Sequence, residues 1–134
     1  MNIRKPTDYT TLFAALDAAV AAQLPQMELY CEMGRVVSGR GEKGAAVAAS
    51  EYLQAAYPAA DGFSPRNLRR MRDFYRMYGD TPELLAEAMR LNWTQNVVIM
   101  EAKLTMDERC WYIWKVAESG LSKTELLRMI ERAE

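Results

Sequence analysis

Residues 62–79 read GFSPRNLRRMRDFYRMYG, and this stretch predicts an amphipathic helix with clearly marked ends. Ser64 is a residue type that caps helix N-termini, and Pro65 follows at the first helical position, where its missing N–H costs nothing. Gly79 is a natural C-terminal stop. At about 100° per residue, apolar side chains gather on one arc of this helix and arginines on the other. The apolar arc holds Leu68, Met71, Phe74, Tyr75 and Tyr78, and the opposite arc holds Arg66, Arg69, Arg70, Arg72 and Arg76.

The charge of this helix differs from that of the rest of the chain. The 134 residues include 17 basic and 18 acidic ones, for a net charge of −1. Residues 62–79 hold five arginines and one aspartate, a local charge of +4, which leaves 12 basic and 17 acidic residues, or −5, elsewhere. Solvated helix faces usually mix the two signs, and this one has few acidic partners. Because guanidinium groups match phosphate oxygens and guanine edges, the stretch indicates nucleic-acid contact, with a solvated helix face as the alternative.

The composition indicates one domain that occupies residues 1–134. No uncharged apolar run approaches about 20 residues and no leader with a cleavage site is evident, so we expect a cytoplasmic protein with no membrane partner. Cys31 and Cys110 are too few for a disulfide framework, and both stand in apolar helical patterns that favour buried, reduced thiols. The absence of histidine excludes a Ser-His-Asp triad, a Cys-His pair and a histidine-containing zinc site. We expect no cofactor and no metal.

The remaining sequence is helical in pattern and predicts an all-α fold, a compact bundle of six to seven helices. Residues 38–44 form a glycine-rich loop, and no alternating run of β-branched residues suggests a strand. Thr105 to Glu108 and Ser122 to Glu125 both fit a capping box, and Thr81 before Pro82 is a further helix start. The helical segments cover about 7–23, 26–37, 45–57, 65–78, 82–90, 92–102, 106–118 and 123–133, the first two being two helices or one bent at Pro25.

Residues of about 45–79 fit a helix-turn-helix-like unit, although the turn exceeds the usual length of about three to four residues. In such a unit the second helix enters the major groove with its N-terminal residues toward the base edges. Arg66, Arg69 and Arg70 are therefore the candidates for base contact. Asn67 would read adenine by its residue type, from the boundary of the two arcs. Arg72 and Arg76 would hold phosphates. The candidate nucleic-acid-binding residues are Ser64, Arg66, Asn67, Arg69, Arg70, Arg72 and Arg76.

Each of these assignments has an ordinary structural alternative. Ser64 could cap its helix and also meet a phosphate at the positive helix end. The arginines could form surface ion pairs with Glu51 or Asp61, worth only about 0–1 kcal/mol each. The aromatic residues of segment 106–118 suggest a base-stacking hypothesis, but their place within an apolar helical pattern favours core packing. These residues are Trp111, Tyr112 and Trp114, and the same reasoning makes Trp93 an anchor at a helix start.

Catalysis has weak support in the residues. Glu101 and Lys103 form a Glu-x-Lys arrangement that occurs in metal-dependent nucleases, but such a pair stands on a strand beside another acidic residue. Here the context is helical. We therefore assign no catalytic residue and expect that the chain is not an enzyme.

Several segments carry a family resemblance: residues 28–34 (ELYCEMG), 62–68 (GFSPRNL), Met71, Arg72, Phe74, Tyr75, 92–94 (NWT), Glu108, Arg109, Trp111, Tyr112 and 120–122 (GLS). Together they resemble the N-terminal domain of the YhcG family of bacterial proteins. The resemblance extends from about Leu16 to Ile130, and GFSPRNL is its most specific part. The chain departs from the family where Cys31 and Leu121 stand in place of frequent tryptophans.

The resemblance implies a helix-turn-helix-like, DNA-binding module that is usually followed by a nuclease-like domain of the PD-(D/E)xK type. Since the chain stops at Glu134, where that domain should begin, we expect no nuclease activity. The expected function is a non-catalytic DNA-binding module, stand-alone or targeting a separate nuclease, in a mobile-element or phage-defence setting.

The expected nucleic-acid partner is double-stranded DNA. The expected protein partners are a nuclease or other protein subunit and further copies of the chain in a homo-oligomer. The main alternative is a protein-interaction module or small regulator whose arginines dock on an acidic partner. A third alternative, an intact small nuclease, finds no catalytic site in the sequence.

Overall fold

The computed structural model describes residues 7–133, which form eight α-helices and no strand. The all-α prediction is confirmed for this part of the chain, whereas the count of six to seven helices is wrong. Among residues 7–133 no helix has the length and apolar character needed to cross a membrane. The helices are α1 (Thr10–Ala21), α2 (Gln26–Ser38), α3 (Ala45–Ala56), α4 (Pro65–Tyr78), α5 (Pro82–Ala88), α6 (Trp93–Glu101), α7 (Met106–Ser119) and α8 (Lys123–Ala133).

The first two helical segments are separate helices rather than one bent helix. After α1 ends, Gln23 has a positive φ of 52°, a conformation that cannot continue a right-handed helix. Pro25 then occupies the position just before α2. α1 begins three residues later than predicted, and the carboxylate of Asp8 accepts a hydrogen bond of 2.9 Å from the backbone N–H of Thr10 at this end.

The apolar arc of α4 lies at the centre of the core. Leu68, Met71, Phe74 and Tyr78 are all fully buried, as the amphipathic pattern predicts. α4 packs most extensively on α2, and less on α3. The two backbones approach closely at Gly34 of α2, where a Cβ atom would lie only 2.1 Å from the backbone oxygen of Met71. Burial of this arc leaves the opposite arc of α4 toward the solvent.

Local capping rules account for most of the later helix starts. The hydroxyl of Thr105 accepts from the backbone N–H of Glu108 at 3.1 Å, and the Glu108 carboxylate accepts from the N–H of Thr105 at 2.8 Å, which confirms this capping box. The hydroxyl of Ser122 likewise accepts from the N–H of Glu125 at 3.2 Å. Thr81 precedes α5 as predicted, but its side chain makes no capping hydrogen bond.

Hydrogen bonds to one carboxylate join α1 to the end of α3. Tyr52 donates to one oxygen of Asp17 at 2.5 Å, and Tyr57 donates to the other at 2.7 Å. Because both bonds favour the charged carboxylate, they lower the pKa of Asp17. The same contact raises the pKa of Tyr57 to about 12.

Candidate nucleic-acid interface

The helix that carries the arginines has the predicted bounds. The hydroxyl of Ser64 accepts a 3.1 Å hydrogen bond from the backbone N–H of Asn67, and Pro65 is the first helical residue. The N–H of Gly79 donates to the carbonyl of Tyr75 at 2.7 Å as the last bond of the helix, and Gly79 keeps a right-handed φ of −62° rather than the left-handed conformation of a glycine stop. The predicted capping role of Ser64 is therefore confirmed, and Ser64 is an exposed residue at the positive end of the helix.

The arginines of α4 differ in exposure. Arg66, Arg69 and Arg76 are exposed, whereas Arg70 and Arg72 are half-buried. Within residues 7–133, neither Arg66 nor Arg69 forms an ion pair or a side-chain hydrogen bond. These two guanidinium groups stand about one turn apart at the N-terminal half of the helix, where they are free to meet an anion. We call the five side chains together, Arg66, Arg69, Arg70, Arg72 and Arg76, the arginine face.

Arg70 is tied to another helix. Its Nε atom donates to the carboxylate of Glu101, the last residue of α6, in an ion pair that joins positions 31 residues apart. The ion pairs expected from the sequence involved Glu51 or Asp61, and the observed partner differs from both. Since both side chains remain partly exposed, the pair contributes little stability, and Arg70 can exchange it for a phosphate at small cost.

The remaining two arginines make local contacts. Arg72 forms an ion pair of 3.0 Å with Asp73, its neighbour in sequence. Arg76 donates from Nε to the hydroxyl of Ser38 at the end of α2, over 3.3 Å. Asp73 lies on the same outer arc as the arginines, so this face contains one negative charge. Arg72 and Arg76 therefore each have a polar partner, and Arg66 and Arg69, which have none within residues 7–133, are the most available cations.

Asn67 lies on the inner side of α4 rather than at the boundary of the two arcs. Its Nδ2 atom donates to the carbonyl of Gly62 at 2.6 Å, and its Oδ1 atom accepts from the indole N–H of Trp93 at 2.8 Å. At about 100° per residue, Asn67 falls between the buried Phe74 and Tyr78, a signal that the sequence contains. The structure therefore gives Asn67 a role in joining the turn before α4 to α6.

Trp93 is held at the start of α6, as predicted. Asn92 and Gln95 form a capping box around it, with hydrogen bonds of 2.8 and 2.9 Å that the sequence reasoning missed. The indole ring makes edge-to-face contacts with Tyr30, at 5.0 Å between centroids, and with Phe74, at 5.9 Å. The ring thus fixes the position of α6 beside the N-terminal turn of α4.

A groove opens between α6, α8 and the first turns of α4. Its volume is about 470 Å³. A second depression of about 410 Å³ lies between α4 and α6, where Arg66 and Arg69 line it. Arg70 and Glu101 line both depressions, so the two are neighbours. We call the first one the aliphatic groove, and its lining consists of Asn67, Arg70, Trp93, Thr94, Val97, Val98, Glu101, Ala102, Lys123, Leu127, Ile130 and Glu131.

Two tryptophans of α7 lie on the surface. Tyr112 is buried as predicted, but Trp111 is 46% exposed and Trp114 is 52% exposed, so core packing is the wrong explanation for both. They share the outer arc of α7 with Asp107 and Glu118, which are also exposed. Glu118 pairs with Arg90 at 3.6 Å, but the carboxylate of Asp107 beside these rings would repel a phosphate backbone, which disfavours base stacking at this surface.

The groups considered for catalysis are dispersed. Among residues 7–133, no three His, Cys, Asp or Glu side chains lie close enough together to hold a metal ion. Glu101 ends a helix and pairs with Arg70, so the Glu-x-Lys arrangement is not on a strand. Cys31 and Cys110 are free thiols, both half-buried. Burial raises the pKa of Cys31, which favours the protonated thiol over the thiolate.

The fold defines an all-helical domain that presents an arginine-bearing helix beside an apolar groove. The chain belongs to the DUF1016 N-terminal domain family, whose family model matches residues 14–134. This match confirms the resemblance to the YhcG N-terminal domain that GFSPRNL and the other shared segments predicted. No curated protein and no solved structure shows a significant match to the chain.

Proposed function

We propose that this domain binds DNA through the arginine face and catalyses no reaction itself. The observation that carries the proposal is the exposure of Arg66 and Arg69, which have no ion-pair partner within residues 7–133. The chain outside residues 62–79 has a charge of −5, so these cations are concentrated rather than typical of the surface. Guanidinium groups in this arrangement suit phosphates and the acceptor edge of guanine.

We assign this binding to a helix-turn-helix-like mode of α3 and α4, with a connection longer than the usual turn of about three to four residues. The two helices pack on each other, and the connection between them comprises residues 57–64. In this mode the N-terminal half of α4 enters the major groove, so that Arg66 and Arg69 reach base edges or flanking phosphates. Arg72 and Arg76, which lie further along the helix, hold the backbone. One short reading helix gives limited specificity, so the domain would act as a homo-oligomer or target a separate nuclease.

A protein-interaction function is the second candidate, and one observation favours it. Trp111 and Trp114 expose large apolar surfaces beside Asp107 and Glu118, a composition more typical of a protein contact than of a nucleic-acid contact. In this case the arginine face would dock on an acidic partner. Lack of affinity for random duplex DNA, together with stable association with an acidic protein, would support this candidate.

The decisive experiment measures how DNA affinity depends on salt. Fluorescence anisotropy with a labelled duplex would compare the native chain with Arg69→Gln and with Arg90→Gln, each over a range of salt concentrations. Each phosphate contact contributes about 0.9 to the slope of log K against log salt concentration. If Arg69 contacts a flanking phosphate, Arg69→Gln should reduce the slope by about 0.9 and weaken binding.

Arg90→Gln is the matched control, because Arg90 lies beyond α5 and pairs with Glu87 and Glu118 rather than facing outward from α4. It removes the same charge and should leave the slope unchanged. Equal loss of affinity in both variants would show that net charge, rather than the arginine face, governs binding. No affinity of the native chain for any duplex would refute the proposal outright.

A further inference from the structure

The aliphatic groove has no role in the binding mode described above, although it adjoins the arginine face. We infer that this groove receives an unpaired nucleobase, so that the preferred DNA ligand is a duplex with an extruded base rather than a fully paired one. The inference rests on the proposed function, because DNA must first be held on the arginine face.

The shape and chemistry of the groove suit the faces of a base. Its volume of about 470 Å³ falls within the range of about 300–1,000 Å³ that is typical of small-molecule sites. Val97 and Val98 of α6 and Leu127 and Ile130 of α8 line it, and all four are aliphatic. A base that leaves the duplex loses its stacking neighbours, and an apolar slot replaces part of that contact.

The rim of the groove carries cations, which can pair with phosphates, and carboxylates, which can accept hydrogen bonds from a base. Arg70 from α4 and Lys123 from the start of α8 line it, so the phosphates that flank the extruded nucleotide find cations. Glu101 and Glu131 also line it, and their carboxylates can accept hydrogen bonds from the amino group of cytosine or adenine. An apolar protein side chain would fill the same slot without using the two cations.

The position of the groove connects it to the DNA path. Arg70 and Glu101 line both the aliphatic groove and the depression that contains Arg66 and Arg69. A backbone that lies on the arginine face therefore passes the mouth of the groove. On reaching it, the phosphate next to the extruded base replaces Glu101 as the partner of Arg70, which releases a carboxylate toward the base.

The test compares three labelled duplexes of equal length by fluorescence anisotropy. One is fully paired, one carries a single bulged nucleotide, and one carries a bulged abasic site at the same position. The last two have the same backbone and the same charge and differ in the presence of the base. Removal of about 60 Å² of base surface from water, at about 25 cal/mol per Å², corresponds to about a tenfold change in affinity, so we expect the base bulge to bind about tenfold more tightly than the abasic bulge.

A pair of protein variants places the effect in the groove. Leu127 and Met106 are both 39% exposed, so a carboxylate at either position should leave the protein folded. Leu127→Glu puts a charge into the apolar slot and should remove the tenfold preference, whereas Met106→Glu, on α7 and outside the groove, should keep it. The preference is the ratio of the affinities for the two bulged duplexes. An added charge that weakens binding to both duplexes equally therefore leaves this ratio unchanged.

The outcomes separate this inference from the proposed function. Equal affinity of the native chain for the base bulge and the abasic bulge would overturn the inference while the arginine face still accounts for salt-dependent binding. A preference that survives in Leu127→Glu would also overturn it, because the base would then lie elsewhere. Failure to bind any of the three duplexes would overturn both proposals.

Discussion

Replacement of Gly34 by alanine should force α2 away from α4, the helix that carries the arginine face. A Cβ atom at this position would lie 2.1 Å from the backbone oxygen and 2.7 Å from the carbonyl carbon of Met71. Ordinary contact begins at 3.4 Å, so the backbones must separate by about 1.3 Å, the difference between 3.4 and 2.1 Å. The atoms in the way belong to the backbone and cannot rotate aside as the end of a flexible side chain could.

The expected destabilisation follows from two opposing effects. Overpacking of a core costs about 1–3 kcal/mol, and a backbone clash belongs at the upper end of this range. Alanine is more favourable than glycine in a helix interior by about 1 kcal/mol, because it loses less conformational entropy. The net loss is therefore about 2 kcal/mol. One kcal/mol shifts the Tm of a domain of this size by about 4 °C, so we expect a decrease of about 8 °C.

Thermal and urea unfolding, followed by far-UV circular dichroism, would measure the change. Gly39→Ala is the matched control at the end of the same helix, where φ is −68° and the new Cβ would lie 3.5 Å from its nearest neighbour, the backbone oxygen of Val36. This variant should change Tm by less than about 2 °C. If Gly34→Ala were as stable as Gly39→Ala, α2 and α4 would not be as close as described and the reasoning would fail.

Asn67→Ala should destabilise the domain by about 2–3 kcal/mol in urea unfolding, because the indole N–H of Trp93 and the carbonyl of Gly62 lose their partners, while the salt slope of DNA binding stays the same. A stable Asn67→Ala protein with weakened DNA binding would instead make Asn67 a base reader. Gly62→Ala should lower the free energy of unfolding by about 2 kcal/mol or more, because φ is +89° and the new Cβ would lie 2.1 Å from the hydroxyl of Tyr30. Gly41→Ala is the control, because there is open space around Gly41, and it should be neutral. Equal melting temperatures of the two variants would contradict this prediction. Asp17→Asn should be less stable than the native chain at pH 7. The hydrogen bonds from Tyr52 and Tyr57 lower the pKa of Asp17, so they stabilise the fold above its unfolded pKa of about 3.9 and this stabilisation is lost as pH falls through the lower, folded pKa. The difference in urea midpoint should therefore shrink near pH 3, and a constant difference would refute the assignment.

The bounds of α4 show how much local rules can predict. A serine cap, a proline at the first position and a final glycine predicted a helix over residues 65–78, and the structure has Pro65–Tyr78. The same rules predicted the capping box at Thr105. Each of these signals acts within about four residues, through hydrogen bonds of the chain with its own neighbours, so no knowledge of the tertiary structure is required.

Errors arose where burial depended on other helices. The aromatic cluster of α7 predicted core packing, but this helix buries Tyr112, Ile113 and Val116, and Trp111 and Trp114 point away from its neighbours. Helical periodicity shows which residues share a face, but not how much of an apolar surface the neighbouring helices cover. Asn67 is a different kind of error, since its position among buried residues was present in the periodicity and its polar character concealed it.

The sequence alone determined the helical class, the ends of most helices and the separation of apolar from arginine side chains on α4, because these depend on spacing and on hydrogen bonds over a few residues. Only the tertiary structure decided which arginines are available, since Arg70 meets a carboxylate 31 residues away and Arg66 meets none within the described chain. It also placed the aliphatic groove beside them. Such arrangements depend on how closely the helices approach each other. Gly34 permits the close approach of α2 to α4 because it has no Cβ atom.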